Sequence, residues 1–114
     1  MTDQEGIQLA RILNTNLTLR KLELEGNKLG PKSAAEFGQA LKVNFTLQYL
    51  NLANNNLTVD GQDMWGVIQL FDFLEFNTTL KTLIISNNGL DKECGTTLWE
   101  KLEGNMSIVN IDFS

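Results

Sequence analysis

Apolar positions recur in this chain with a compound rhythm. Counted from four asparagines, Asn16, Asn44, Asn77 and Asn105, they return at offset three (Leu19, Leu47, Leu80, Ile108) and at offset six (Leu22, Leu50, Leu83, Ile111). Offset eight carries Leu24, Leu52, Ile85 and Phe113. A second asparagine follows at offset eleven (Asn27, Asn55, Asn88), and a leucine at offset thirteen (Leu29, Leu57, Leu90). Offsets six and eight alternate with other positions at period two, so they share one face of a short strand. The asparagine falls where the chain must leave that strand, and its short amide can bond backbone groups the turn leaves unpaired. Stacked copies of it would form a ladder between neighbouring coils.

The second half of each unit changes to helical spacing. Ala34, Phe37 and Leu41 stand at i, i+3 and i+7, matched by Val67, Leu70 and Leu74 and by Gly95, Leu98 and Leu102. Pro31 sits where the first of these helices should start, a favourable place for proline. Before Asn16, "GIQLARIL" supplies Leu9 and Leu13 at the corresponding offsets, so the chain opens in the helical half of a unit.

The units are spaced 28, 33 and 28 residues apart, in the range of solenoid repeats. One coil cannot bury its own leucines; stacking several makes a continuous core. The pattern L-x-x-L-x-L-x-x-N-x-L with a helix in each unit resembles the leucine-rich repeat family. Its long helical half is similar to the ribonuclease-inhibitor-like subclass, shared by Ran GTPase-activating proteins and tropomodulins. The resemblance covers roughly residues 5–114 and implies an α/β solenoid: a curved parallel sheet on the concave side and helices on the convex side. The expected organisation is a single domain over residues 1–114, with a partial repeat at 5–15, repeats at 16–43, 44–76 and 77–104, and a truncated repeat at 105–114.

Composition narrows the functional classes. The 114 residues suit one compact domain, and a hydrophobic fraction of 42% supports a core. Fourteen acidic against nine basic side chains give a net charge of −5, which disfavours nucleic acid. The longest apolar-rich run, "MWGVIQLFDFLEF", is interrupted by Gln69, Asp72 and Glu75, so a membrane partner is not expected. Cys94 is unpaired and no signal pattern opens the chain, so a reducing, cytoplasmic setting is expected. Five Asn-x-Ser/Thr sequons occur, at Asn16, Asn44, Asn56, Asn77 and Asn105. Four of these are the same repeat position, which one structural rule explains better than four glycans.

Catalysis has little to work with. There is no histidine, hence no histidine-based triad, and no zinc ligand set or phosphate-cradling glycine loop is visible. Cys94 aligns with Ser33 and reads as a small helix residue; Glu23 and Glu25 share a strand face without sign of desolvation. The expectation is a protein that is not an enzyme and uses no cofactor and no metal.

Three places depart from the repeat. A five-residue expansion in "TVDGQDMWG", between Leu57 and Val67, brings Asp60, Asp63 and Trp65 onto or near a loop at an edge of the solenoid. Gly38, Phe71 and Trp99 occupy one helical position, where a glycine beside a phenylalanine lets helices interdigitate; Phe73 and Phe76 could add an aromatic patch. Both ends lack a polar capping unit, which points to a longer array or to self-association through the ends.

In this family the residues between the core leucines line the concave face. Three columns are readable: Lys21, Tyr49, Thr82 and Asn110; Glu23, Asn51, Ile84 and Asp112; Glu25, Ala53, Ser86 and Ser114. Tyr49 is a common hot-spot type, and Ile84 stands where a polar residue would serve, so this face is the expected site for a protein partner. The implied function is a non-catalytic interaction module or scaffold, with a cytoskeletal or ciliary assembly as one setting. The phrases "LKVNFTLQYLN" and "NTTLKTL" look like tropomodulin repeats, which implies an actin-filament partner as one version. The tropomodulin tail helix and tropomyosin-binding segment have no counterpart in the chain. The alternative is a regulator of an enzyme such as a small GTPase, as in the Ran family. That family uses an exposed arginine, and the chain has only Arg11 and Arg20, neither in a strand-to-helix loop.

Overall fold

The computed structural model describes residues 1–103 and 110–112. Expectations placed on the side chains of Leu98, Trp99, Leu102, Asn110 and Ile111, and on Asn105, Ile108, Phe113 and Ser114, lie outside the described residues. Helix and strand alternate throughout: α1 (Asp3–Leu13), β1 (Lys21–Glu23), α2 (Pro31–Val43), β2 (Tyr49–Asn51), α3 (Trp65–Leu74), β3 (Thr82–Ile84), α4 (Lys92–Glu103) and β4 (Asn110–Asp112). The four strands form one sheet in the order β1-β2-β3-β4, every neighbouring pair parallel. Equivalent repeat positions pair directly: Lys21 with Tyr49, Tyr49 with Thr82, and Thr82 with Asn110.

The strands are short because each unit needs only enough extended chain to place its two alternating leucines. Parallel hydrogen bonding nevertheless runs past them, with the Leu24 N–H donating to Asn51 O at 2.8 Å and the Asn54 N–H donating to Ser86 O at 2.9 Å. Leu47, Leu50, Leu52, Leu57, Leu80, Leu83 and Ile85 are fully buried against Phe37, Leu41, Val67, Leu70, Phe71 and Leu74 from the helices. In the first coil Leu19 and Leu22 are only half-buried, because no strand precedes β1 among the described residues.

Two asparagine ladders tie the coils. At the strand exits, Asn55 Nδ2 donates to Leu24 O of the preceding coil at 3.0 Å and Asn88 Nδ2 donates to Leu52 O at 2.8 Å. At the helix-to-strand turns, Asn44 Nδ2 donates to Leu13 O at 2.8 Å and Asn16 O at 2.9 Å, while Asn77 Nδ2 donates to Leu41 O and Asn44 O at 2.8 and 3.0 Å. Their oxygens accept backbone N–H groups of their own turn, Thr46 and Leu47 for Asn44, and Thr79 and Leu80 for Asn77. Both asparagines are buried. A glycan needs the same amide nitrogen, so a glycosylated Asn44 or Asn77 is incompatible with this fold.

Helix starts are satisfied by several routes. Thr2 and Glu5 form a reciprocal capping box on α1. The Thr2 backbone N–H, then its hydroxyl, hold the Glu5 carboxyl below its ordinary pKa. Helix α2 begins at Pro31 as expected but has no side-chain cap of its own. Asp3 of α1 supplies one across the coil boundary, its Oδ1 accepting the Gly30 N–H at 2.8 Å and the Ser33 N–H at 3.1 Å.

The expansion is shorter and more tightly held than a projecting loop. Its last two residues, Trp65 and Gly66, already belong to α3. Thr58 is buried; its hydroxyl donates to Asn88 O at 2.6 Å and accepts the Gly61 N–H at 3.0 Å. The extra residues therefore fold back onto the next turn. Val59, Asp60 and Gly61 all take left-handed backbone angles to do so, with φ of 50°, 55° and 86°. The interdigitation between helices also differs in detail from expectation. Phe71 is fully buried, whereas a Cβ on Gly38 would lie 3.0 Å from Leu70 Cα and 3.0 Å from the Phe73 ring. Residues one repeat apart occupy like positions and face the next helix, so the phenylalanine that meets Gly38 is Phe73.

Candidate protein-interaction surface

The sheet face opposite the helices displays the three expected columns. In the first, the exposed Lys21 holds its ammonium 4.6 Å from the centroid of the half-buried Tyr49 ring, a cation–π contact, with half-buried Thr82 next in register. Lys21 Nζ also lies 3.3 Å from Glu23 Oε1. In the second column Glu23 and Asp112 are exposed and Ile84 is half-buried. The Asn110 side chain, expected to close the first column, lies outside the described residues, though its backbone pairs with Thr82.

Asn51 is placed differently from a free contact residue. It is buried, its Oδ1 accepts the Ala53 N–H at 3.0 Å, and its Nδ2 donates to Glu25 Oε2 at 3.5 Å. Ala53 is buried as well. The other Glu25 oxygen accepts Asn54 Nδ2 at 3.0 Å, so Asn51, Asn54 and Glu25 form one polar group beside half-buried Ser86. Tyr49 and Ile84 thus supply the apolar centre of the face, with a rim of Lys21, Glu23, Glu25, Thr82, Ser86 and Asp112.

A second surface extends beyond the aromatic patch suggested at Phe73 and Phe76, of which Phe76 is exposed and Phe73 half-buried. Along the helix-to-strand turns, Ile12, Leu17, Val43, Phe45 and Phe76 are all more than half exposed, Phe76 at 74%. They flank the Asn16–Asn44–Asn77 ladder, in which Asn44 and Asn77 are buried and which sets their coils side by side. The signal was present in the columns beside that asparagine: Leu17 and Phe45 one residue after it, Val43 and Phe76 one before. At the opposite edge Val59, Trp65 and Ile68 are exposed, and Ile68 lines a cleft of about 240 Å³ together with Met64, Asp91, Glu93, Cys94 and Thr97.

Cys94 lies buried in that cleft wall, its N–H donating to Asp91 Oδ1 at 2.7 Å. Burial, and secondarily the Asp91 charge, push its thiol pKa up to about 11. A thiol held protonated in this way is a poor nucleophile. Lys101 donates to Asp72 Oδ1 at 2.6 Å, and this hydrogen bond raises the Lys101 pKa. Among the described residues no group of three or more His, Cys, Asp or Glu side chains could hold a metal ion, and no helix is long and apolar enough to cross a membrane.

Comparison with known proteins agrees with this architecture. The family described as Leucine Rich repeat matches residues 15–38, 43–61 and 76–96, more than half of the chain. The chain belongs to the leucine-rich repeat family. Among solved structures it is similar to Leiomodin-1 actin-binding site 2, with a TM-score of 0.89 over 100% of this chain at 22% identity. The chain spans 64% of the length of that protein chain, and the likeness establishes a shared fold.

Proposed function

We propose that this leucine-rich repeat chain is a non-catalytic module that binds a protein partner on the open face of its sheet. The observation that carries the reading is the pairing of Tyr49, fixed under the Lys21 ammonium at 4.6 Å, with a partly exposed Ile84 two positions along the next strand. An aromatic and an aliphatic side chain held rigidly within a polar rim is the usual composition of an interface centre. The register pairs Tyr49 with Thr82 and Asn51 with Ile84, so the two lie on a diagonal of neighbouring strands, roughly 7–8 Å apart and within reach of an aromatic side chain.

The finer proposal is an actin partner. Its support is the fold shared with Leiomodin-1 actin-binding site 2, together with the tropomodulin-like phrases of the sequence. A cytoplasmic setting belongs to the same proposal, on the strength of the free Cys94 and of the buried amides of Asn44 and Asn77. The GTPase-regulating alternative has less behind it. Arg11 Nη2 lies 3.4 Å from Glu36 Oε1 on the helical side, and Arg20 stands in a helix-to-strand turn.

The test is quantitative affinity capture from cell extract alongside cosedimentation with actin filaments, comparing wild type with Tyr49→Glu/Ile84→Glu. The variant should keep its circular dichroism spectrum yet lose its partner by tenfold or more, as expected for two hot-spot positions. Wild-type cosedimentation lost in the variant supports actin; capture of another protein lost in the variant keeps the module and replaces actin. Equal capture by both proteins rules out the sheet face.

A further inference from the structure

The two edges of the solenoid differ in charge, one net basic and the other acidic where it carries a cleft. Among the described residues, the helix ends and the helix-to-strand turns that follow them, residues 14–20, 42–48 and 75–81, carry Arg20, Lys42 (in the last turn of α2) and Lys81 against Glu75, in a chain whose net charge is −5. Those same turns present the exposed Leu17, Val43, Phe45 and Phe76. At the opposite edge, the first turn, 24–30, holds Glu25 and Lys28, while the turns 52–64 and 85–91 hold Asp60, Asp63 and Asp91 and no basic residue, and α4 adds Glu93 beside Lys92. That acidic edge contains the 240 Å³ cleft between the starts of α3 and α4, with Met64, Ile68, Cys94 and Thr97 in its walls and Asp91 and Glu93 among its lining residues.

We infer that the basic, aromatic edge of one copy docks on the acidic, cleft-bearing edge of a second copy of this chain. The cleft is large enough for a phenylalanine ring, and Phe45 and Phe76 offer such rings at 53% and 74% exposure. Insertion would remove both apolar surfaces from water while Lys42 and Lys81 approach Asp91 and Glu93. Burying a phenylalanine supplies the affinity; the charges set the orientation and disfavour like edges meeting. The two surfaces are different, so the contact is heterologous, and repeating it gives an open chain of copies rather than a closed dimer. Exposed apolar stripes of this kind on a small domain are otherwise a solubility liability.

The distinguishing property of a heterologous contact is complementation. Phe45→Glu/Phe76→Glu removes one edge and leaves the other intact; Ile68→Lys/Glu93→Lys does the reverse. In sedimentation velocity the wild type should gain mass as concentration rises to about 1 mM, and lose it when salt shortens the Debye length. Each variant alone should stay at the monomer mass of 12.8 kDa. Mixed at equal amounts, the two should form a one-to-one complex that grows no further. Folding of both variants is checked by circular dichroism and melting temperature, with Phe45→Ser/Phe76→Ser as a milder second form of the aromatic change. Tyr49→Glu/Ile84→Glu, on the sheet face, should leave assembly unchanged, which separates this contact from the partner site above. A wild type that stays monomeric throughout, or folded variants that fail to complement each other, overturns the proposal.

Discussion

The side-chain amide of Asn88 donates to the carbonyl of Leu52, 36 residues earlier, at 2.8 Å. The same nitrogen reaches Ile85 O at 3.1 Å and Ser86 O at 3.3 Å, and Asn88 Oδ1 accepts the Leu57 N–H at 3.2 Å. One buried side chain therefore serves backbone groups of two coils. Replacing it with alanine strands several of them away from water, and each stranded group costs roughly 1–3 kcal/mol. Asn27, the equivalent residue of the first coil, is half-buried, so water can replace its bond to Leu24 O. Asn88→Ala should cost about 3 kcal/mol or more in urea unfolding, and Asn27→Ala about 1 kcal/mol. Equal losses at the two positions would show that the ladder is not what binds the coils.

A separate column imposes a backbone constraint. Gly26, Asn54 and Asn87 occupy offset ten and all adopt left-handed angles, with φ of 74°, 56° and 56°. Glycine enters this region freely and asparagine at small cost; a β-branched residue does so at about 1–2 kcal/mol. Asn87 is exposed, which makes it the cleaner site. Asn87→Val should lower stability by roughly 1–2 kcal/mol, while Asn87→Gly should stay within about half of 1 kcal/mol. A valine variant as stable as wild type would mean the turn relaxes out of this conformation.

How much of this could be read in advance depended on whether a residue's role repeats. Leu50, Leu52 and Asn88 hold one position in several coils, and their burial and bonding follow from counting alone. The left-handed column was present as Gly-Asn-Asn but was masked by the many other asparagines around it. The behaviour of Asn51 was not legible, because its burial depends on Glu25 and Ala53 from two different coils. Nor was the fold-back of the expansion, which rests on the Thr58 hydroxyl finding Asn88 O. The exposed Leu17 and Phe45 were hidden for a related reason, whereas Phe76 stood out as an aromatic: period and offset identify an apolar residue, but the solenoid's edges exist only once the coils are stacked.

Gly66 tests the packing of one helix against the next. A Cβ there would lie 2.6 Å from Pro31 Cα and 2.7 Å from Pro31 C, both backbone atoms that cannot rotate aside. Helix propensity alone favours alanine over glycine by about 1 kcal/mol. The steric term opposes it, and overpacking of this kind costs roughly 1–3 kcal/mol. Gly66→Ala should therefore destabilise the protein despite its better propensity, with a lower melting temperature in calorimetry. A variant more stable than wild type would show that α3 can move away from α2 without loss.

The Cys94 thiol gives the chain an alkaline dependence whose sign is fixed by its burial. Its pKa rises from the ordinary value of 9.0 to about 11, so the folded state favours the neutral thiol. The associated stability is fully present below pH 9 and is lost as pH climbs from about 9 towards 11, where the unfolded thiol ionises before the folded one. Alkaline pH acts on the rest of the chain as well, so the informative quantity is a difference. Between pH 8 and 11 the stability of wild type should fall more steeply than that of Cys94→Ala. Labelling by a thiol-specific disulfide reagent at pH 8 offers an independent readout. Two units of pKa reduce the thiolate fraction about a hundredfold, so the native protein should react at least that much more slowly than the urea-unfolded chain. Parallel pH profiles for the two proteins, combined with fast native labelling, would place Cys94 in water rather than in the wall of the cleft.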